Sequence, residues 1–210
     1  NVFIKFAGEA EDSASSMNFL ILAFFGELVG IFIVLITLFN NFYHTFIILF
    51  SVILSIGGIL LGTLLLGLKF SIVFSGLGIV ACMGIVVNNN IILIDSYRKE
   101  LLENRSNVYE AILVACKNRI RPIFLTTITT ITGLLPSALQ ISLDIFDRTI
   151  AYKSEETYFF VLLAWSLIWG IGFASFATLF VTPALLALPK SLNNIFYSKT
   201  KILNDKVLAD

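Results

Sequence analysis

The chain has 210 residues, of which 58% are hydrophobic and only 13% charged, with 14 basic against 14 acidic side chains. That apolar excess excludes an ordinary soluble domain, and balanced charge without a basic block excludes an electrostatic nucleic-acid partner. Two cysteines, Cys82 and Cys116, are too few and too far apart for a disulfide framework or a metal site. The class is an all-α integral membrane protein, with no catalytic, cofactor or metal site expected.

The first residues carry neither a basic region nor a hydrophobic stretch of signal-peptide type, and "NVFIKF" alternates like the end of a β-strand. Residues 1–16 therefore read as the tail of an outside domain, and the chain as part of something longer. Five apolar segments follow, at 17–39, 45–66, 71–97, 120–143 and 158–188. Each is near or above the roughly 20 residues needed to cross a hydrocarbon core about 30 Å thick. "NNFYH" and "GLKF" are tight turns, and 144–157 is a polar loop.

The connection at about 98–119 is longer and polar. Asn107 as N-cap and Glu110 at the N3 position form a capping-box pattern that predicts a short cytoplasmic helix over 108–118. Residues 17–188 make the membrane domain, and 189–210 form a polar tail. An odd number of spans puts the two ends on opposite sides. Ten of the 14 basic residues fall on the side holding Arg98, Lys99, Arg105, Lys117, Arg119, Arg121 and the tail. By the positive-inside rule that side is cytoplasmic, with the N-terminus outside.

Polar groups in the spans cost free energy unless they are paired or line a cavity. In "GIVVNNNIILIDSYRKE", Asn88 and Asp95 stand seven residues apart and share a helix face, while Asn89 and Asn90 point elsewhere and read as packing amides. Asp95 lies close to Arg98 and Lys99, as an interfacial carboxylate or a polar access residue. In "RIRPIFLTTITTITGLLP", Arg119 and Thr126 again share a face, with Thr130 one turn further on. Pro122 is expected in that helix's first turn, where its missing N–H costs nothing. Threonines there either form a polar track or bond their own backbone. Glu27 stands about ten residues into the first span, roughly 15 Å deep, too far for its side chain to reach the interface. It is therefore neutral, paired, or at a water-filled access crevice. Gly58 and Gly62, and Gly170, Gly172 and Ser175, are spaced for close helix approach. Pro136 and Pro183 are expected to kink or end their helices.

These two motifs, followed by "ATLFVTPALLALP", resemble in order and spacing the C-terminal membrane half of resistance-nodulation-division (RND) transporters over about residues 8–189. The closest branch is the hydrophobe/amphiphile efflux type. The resemblance implies a permease of twelve spans in two pseudo-repeated halves with large periplasmic insertions, this chain being the last five spans. It implies a bacterial inner-membrane location, a homotrimer, an N-terminal half, a periplasmic adaptor, an outer-membrane channel and surrounding membrane lipid as partners, and proton motive force in place of a cofactor. It further implies a proton relay in which two aspartates of the N-terminal half face a lysine, an arginine and a threonine. By motif position these fall on Asn88, Arg119 and Thr126. Asn88 departs from the lysine of the pattern and offers only neutral hydrogen bonds. Two other classes stay open: a SecD/SecF-like protein-export component, and a truncated remnant or structural subunit that does not itself transport.

Overall fold

The "NNFYH" turn shows how local sequence sets the architecture. In a computed structural model that describes residues 9–68, 70–103, 107–144, 149–152 and 155–207, helix α1 (Glu9–Phe39) ends where Asn40 takes a left-handed φ of 46°. Asparagine tolerates that conformation because its short amide can bond locally. Asn41 then caps α2 (Phe42–Leu65), its side chain accepting the Tyr43 N–H at 2.8 Å. At the other end of α2, Gly67 at φ 62° completes a Schellman closure, with the Leu68 N–H on the Thr63 carbonyl and the Gly67 N–H on that of Leu64.

Helices α3 (Ile72–Glu103) and α4 (Val108–Ala138) run antiparallel, tied near the connection by Asn118 Nδ2 donating to Glu100 Oε1 at 3.4 Å. Strands β1 (Ile141–Asp144) and β2 (Thr149–Tyr152) pair antiparallel before α5 (Glu155–Val207). Helix α5 packs against α2, α3 and α4, while α1 lies outside against α2 and α3. The core is continuous, with Leu35, Ile47, Ile48, Val52, Ile59, Met83, Ile94 and Ile171 essentially sealed.

Small residues set the close approaches between helices, as their spacing predicts. A side chain at Gly58 would run into Phe173 and one at Gly62 into Trp169, so both bulky side chains of α5 lie directly on the α2 backbone. A Cβ at Gly170 would lie 2.7 Å from Cys82 Sγ and 2.8 Å from Ile59 Cγ1. Gly172 has open space instead and contributes no close approach. At one end of the bundle the Tyr43 hydroxyl donates to the Leu185 carbonyl of α5. The His44 ring packs between Phe39 and Tyr97 there, both at 6.1 Å between centroids.

Several expectations need correction. Among the described residues four helices, not five, are long and apolar enough to cross a membrane: 14–39, 42–65, 72–103 and 160–191. The segment expected as a fourth span, 120–143, lies in α4 only as far as Ala138 and then turns into β1, and within α4 Arg119, Arg121, five threonines and two prolines dilute the apolar residues. The parity argument that put the ends on opposite sides falls with the fifth span. Nor is there a separate short helix between the third and fourth spans. Asn107 does cap at its expected place, accepting from the Tyr109 N–H, but the helix it starts continues without a break through Ala138. Pro122 is consequently mid-helix, where it leaves the Asn118 carbonyl without its usual donor. The loop expected over 144–157 includes part of the β1–β2 pairing, α1 begins eight residues early, and α5 carries Pro183 and Pro189 in its interior. The β-strand expected in "NVFIKF" and the residue Arg105 lie outside the described residues.

Candidate functional site

The three asparagines of α3 divide by face. Asn90 is wholly buried, donating from Nδ2 to the Val86 carbonyl and to Thr178 Oγ1, both at 3.0 Å, and accepting at Oδ1 from Thr182 Oγ1 at 2.8 Å. With its own proton given to Asn90, Thr182 Oγ1 accepts from Ser51 Oγ at 3.2 Å, for which the Ile47 carbonyl at 3.1 Å is the alternative acceptor. One amide thus joins α3 to α5 and, through Thr182, to α2, with its donors and acceptor used inside the apolar core. Asn89 is buried as well.

Asn88 points the other way. It is exposed, as are Ala81, Gly84, Asp95 and Lys99, which mark out the outward stripe of α3. Asn88 and Asp95 therefore do share a face. On α4, Thr126 is exposed and Arg119 and Thr130 are half-buried. Thr126 Oγ1 donates to the Ile123 carbonyl at 2.9 Å and Thr130 Oγ1 to the Thr126 carbonyl at 2.7 Å, so both hydroxyls close on their own helix. The threonine of α4 that reaches across is Thr127, whose Oγ1 lies 2.6 Å from Ser175 Oγ on α5.

Among the described residues no hydrogen bond or ion pair joins Asn88, Asp95, Arg119 and Thr126. They also differ in depth. Arg119 stands one residue past the Asn118–Glu100 contact, whereas Asn88 is twelve residues from Glu100, roughly 18 Å along α3. Thr126 is eight residues past Asn118, roughly 12 Å along α4. Arg119 Nε is buried and has no acceptor among the described residues. An N–H held from water without an acceptor costs about 1–3 kcal/mol, more beside a charge.

Glu27 lies on the α1 side of α3. Its Oε1 is 3.7 Å from where a Cβ on Gly84 would sit, and its Oε2 is buried without a partner among the described residues. The small surface at Gly84 admits the carboxylate against the α3 backbone.

Asn90 is the packing amide that the sequence reading made it, whereas Thr127 as a residue that ties helices together was not singled out. For Asn90 the signal was present: Met83, Val86, Asn90, Ile94 and Tyr97 recur at helical spacing, and all are buried. A polar residue inside such an apolar stripe is a core residue with partners, while one on the opposite stripe faces outward.

Comparison with known proteins agrees with this architecture. The sequence model of the AcrB/AcrD/AcrF family matches residues 1–145, which takes in α1 to α4 and stops before α5. The chain is 37% identical over 139 residues to the swarming motility protein SwrC of Bacillus subtilis strain 168, covering 66% of this chain and 13% of that protein. It is 33% identical over 137 residues to the multidrug resistance protein MdtC of Escherichia coli strain K12 and to that of Shigella flexneri, covering 65% of this chain and 13% of each. The matched segment is thus a small part of each relative's length. A family match of this extent makes the chain a member of the AcrB/AcrD/AcrF family, a multi-pass membrane permease domain of the RND type.

Proposed function

We propose that the chain is the C-terminal membrane half of a proton-driven efflux permease, and that Asn88, Arg119 and Thr126 form the face that meets proton-carrying aspartates from an N-terminal half. The observation that carries this reading is the Arg119 guanidinium, half-buried with its Nε unsatisfied among the described residues. A carboxylate arriving from another helix bundle supplies the missing acceptor in the form that binds guanidinium best. Asn88, exposed on the neighbouring helix at a different depth, offers a neutral amide to another group of the same N-terminal half.

Coupling then works through charge. Ionised carboxylates hold Arg119; protonation removes that attraction and lets α4 settle in a second position, a two-state element biased by one proton. The basic residues Arg98, Lys99, Lys117, Arg119 and Arg121 crowd the α3–α4 connection, which supports a cytoplasmic placement for it. Amphiphilic compounds as cargo follow from the relatives named for multidrug resistance, and a homotrimer with a periplasmic adaptor and an outer-membrane channel follows from the same resemblance. Glu27, Asp95 and Thr130 are kept as polar access residues beside the relay face.

The test is co-expression with an N-terminal half and a drug-accumulation assay. Arg119→Ala is expected to abolish efflux at unchanged membrane abundance, while Lys99→Gln, which removes an exposed charge near the connection, leaves it intact. Efflux by the Arg119 variant equal to the parent's contradicts the relay.

A further inference from the structure

The outward face of α4 carries a second feature that the relay face does not use. Ile120, Arg121, Phe124, Leu125 and Ile128 line an open groove of about 470 Å³. Four of its five walls are exposed hydrocarbon, with Phe124 and Leu125 the most exposed at 59% and 64%. Arg121 stands at its rim, and Lys117, one helical turn earlier, is exposed on the same side. Neither cation forms an ion pair or hydrogen bond among the described residues. Two other apolar grooves, on α1 and α3, have no charged residue in their walls.

Depth matters as much as charge. The Asn118–Glu100 contact puts this turn of α4 beside the end of α3 that carries Arg98 and Lys99. Charged side chains cluster at that level, as they do where a helix meets the headgroup layer. From Arg121 the groove runs along the outward face of α4 for seven residues to Ile128, roughly 10 Å, and α4 itself packs against α3 and α5, which are apolar enough to cross the bilayer. A double cation at the interface followed by a hydrocarbon trough matches one chemistry: a phosphate headgroup with its acyl chain beneath. A zwitterionic lipid fills the trough equally well but brings no net charge to the rim.

We infer that this face of α4 is a binding site for an anionic phospholipid, its headgroup phosphate held by Arg121 and Lys117 and its acyl chain laid along Phe124, Leu125 and Ile128. Guanidinium supplies a forked donor pair to phosphate, and Lys117 adds a point charge. The reading does not depend on the proton relay, because Arg121 and Lys117 take no part in it.

The experiment uses the full chain in vesicles containing photoactivatable phosphatidylglycerol or photoactivatable phosphatidylcholine at equal mole fraction, with cross-links mapped by mass spectrometry. Cross-links on the segment 120–128 are expected to favour phosphatidylglycerol several-fold, since each basic residue near the surface is worth roughly a five-fold preference. The exposed double variant K117Q/R121Q should bring the ratio close to one while leaving the phosphatidylcholine yield unchanged. Equal yields from the two lipids in the parent chain overturn the proposal, as does a preference that survives K117Q/R121Q. In a parallel arm a photoreactive residue at Phe124 in cell membranes should capture lipid; capture of another protein's helix there instead also overturns it.

Discussion

The Tyr43 hydroxyl donates to the Leu185 carbonyl, the acceptor that Pro189, four residues on, leaves without a helical N–H. A proline inside a helix frees one carbonyl, and in a membrane protein a neighbouring helix has to satisfy it. Tyr43→Phe should therefore destabilise the bundle by about 0.5–1.5 kcal/mol, the net worth of one hydrogen bond to a half-buried carbonyl. In a Pro189→Ala background, where the N–H returns, the same substitution should cost nearly nothing. A double-mutant cycle of unfolding in mild detergent checks this; equal costs in both backgrounds would dismiss the pairing.

The two faces of α3 give a second contrast. Asn90→Ala leaves the Thr178 and Thr182 hydroxyls without their shared partner in the core, and a loss of about 1–3 kcal/mol is expected. Asn88→Ala, on the exposed stripe, should stay within about 0.5 kcal/mol. Unfolding of the two variants by the same denaturant series reads the difference directly.

That contrast also shows how far the sequence could be read. Apolar length revealed the membrane class and the helices α1, α2, α3 and α5, because burial in lipid demands long apolar runs, while the family resemblance rested on the polar motifs and their spacing. Asn107 as a cap and the close approach at Gly58 and Gly62 were legible too, since both depend on local geometry. The failures lie where tertiary packing decides. A capping pattern marks the start of a helix but not its end, so α4 continued past the expected boundary at 118 and carried Pro122 in its interior. Its threonines fill their hydrogen bonds against their own backbone, which lowers apolarity without breaking the helix. That Asn90 faces inward was legible in the apolar stripe of α3, but which residues of α5 it meets is a fact that no single helix contains.

The seam between α2, α3 and α5 predicts opposite outcomes for two glycines. Gly170→Ala forces a methyl against Cys82 and Ile59 and should cost about 1–3 kcal/mol. Gly57→Ala points into open space and should be neutral or stabilising by about 0.5–1 kcal/mol through helix propensity. Thermal unfolding of the two variants side by side checks the order.

Cysteine labelling reports burial independently. Burial pushes the Cys116 thiol up from its ordinary value, so less thiolate is present at any pH below it. Maleimide labelling of Cys116 should be slower than in the unfolded chain, and its rise should come at higher pH. Cys82, fully buried, should label only on unfolding. Fast labelling of Cys82 in the folded chain at pH 7 would argue against the packing described for Gly170.

The central claim is that Arg119 meets proton-carrying carboxylates from another half of the permease. Substrate-driven proton flux across proteoliposomes holding both halves measures it most directly. The account predicts that Arg119→Ala eliminates the flux while Lys99→Gln preserves it; undiminished proton flux in the Arg119→Ala protein would contradict it.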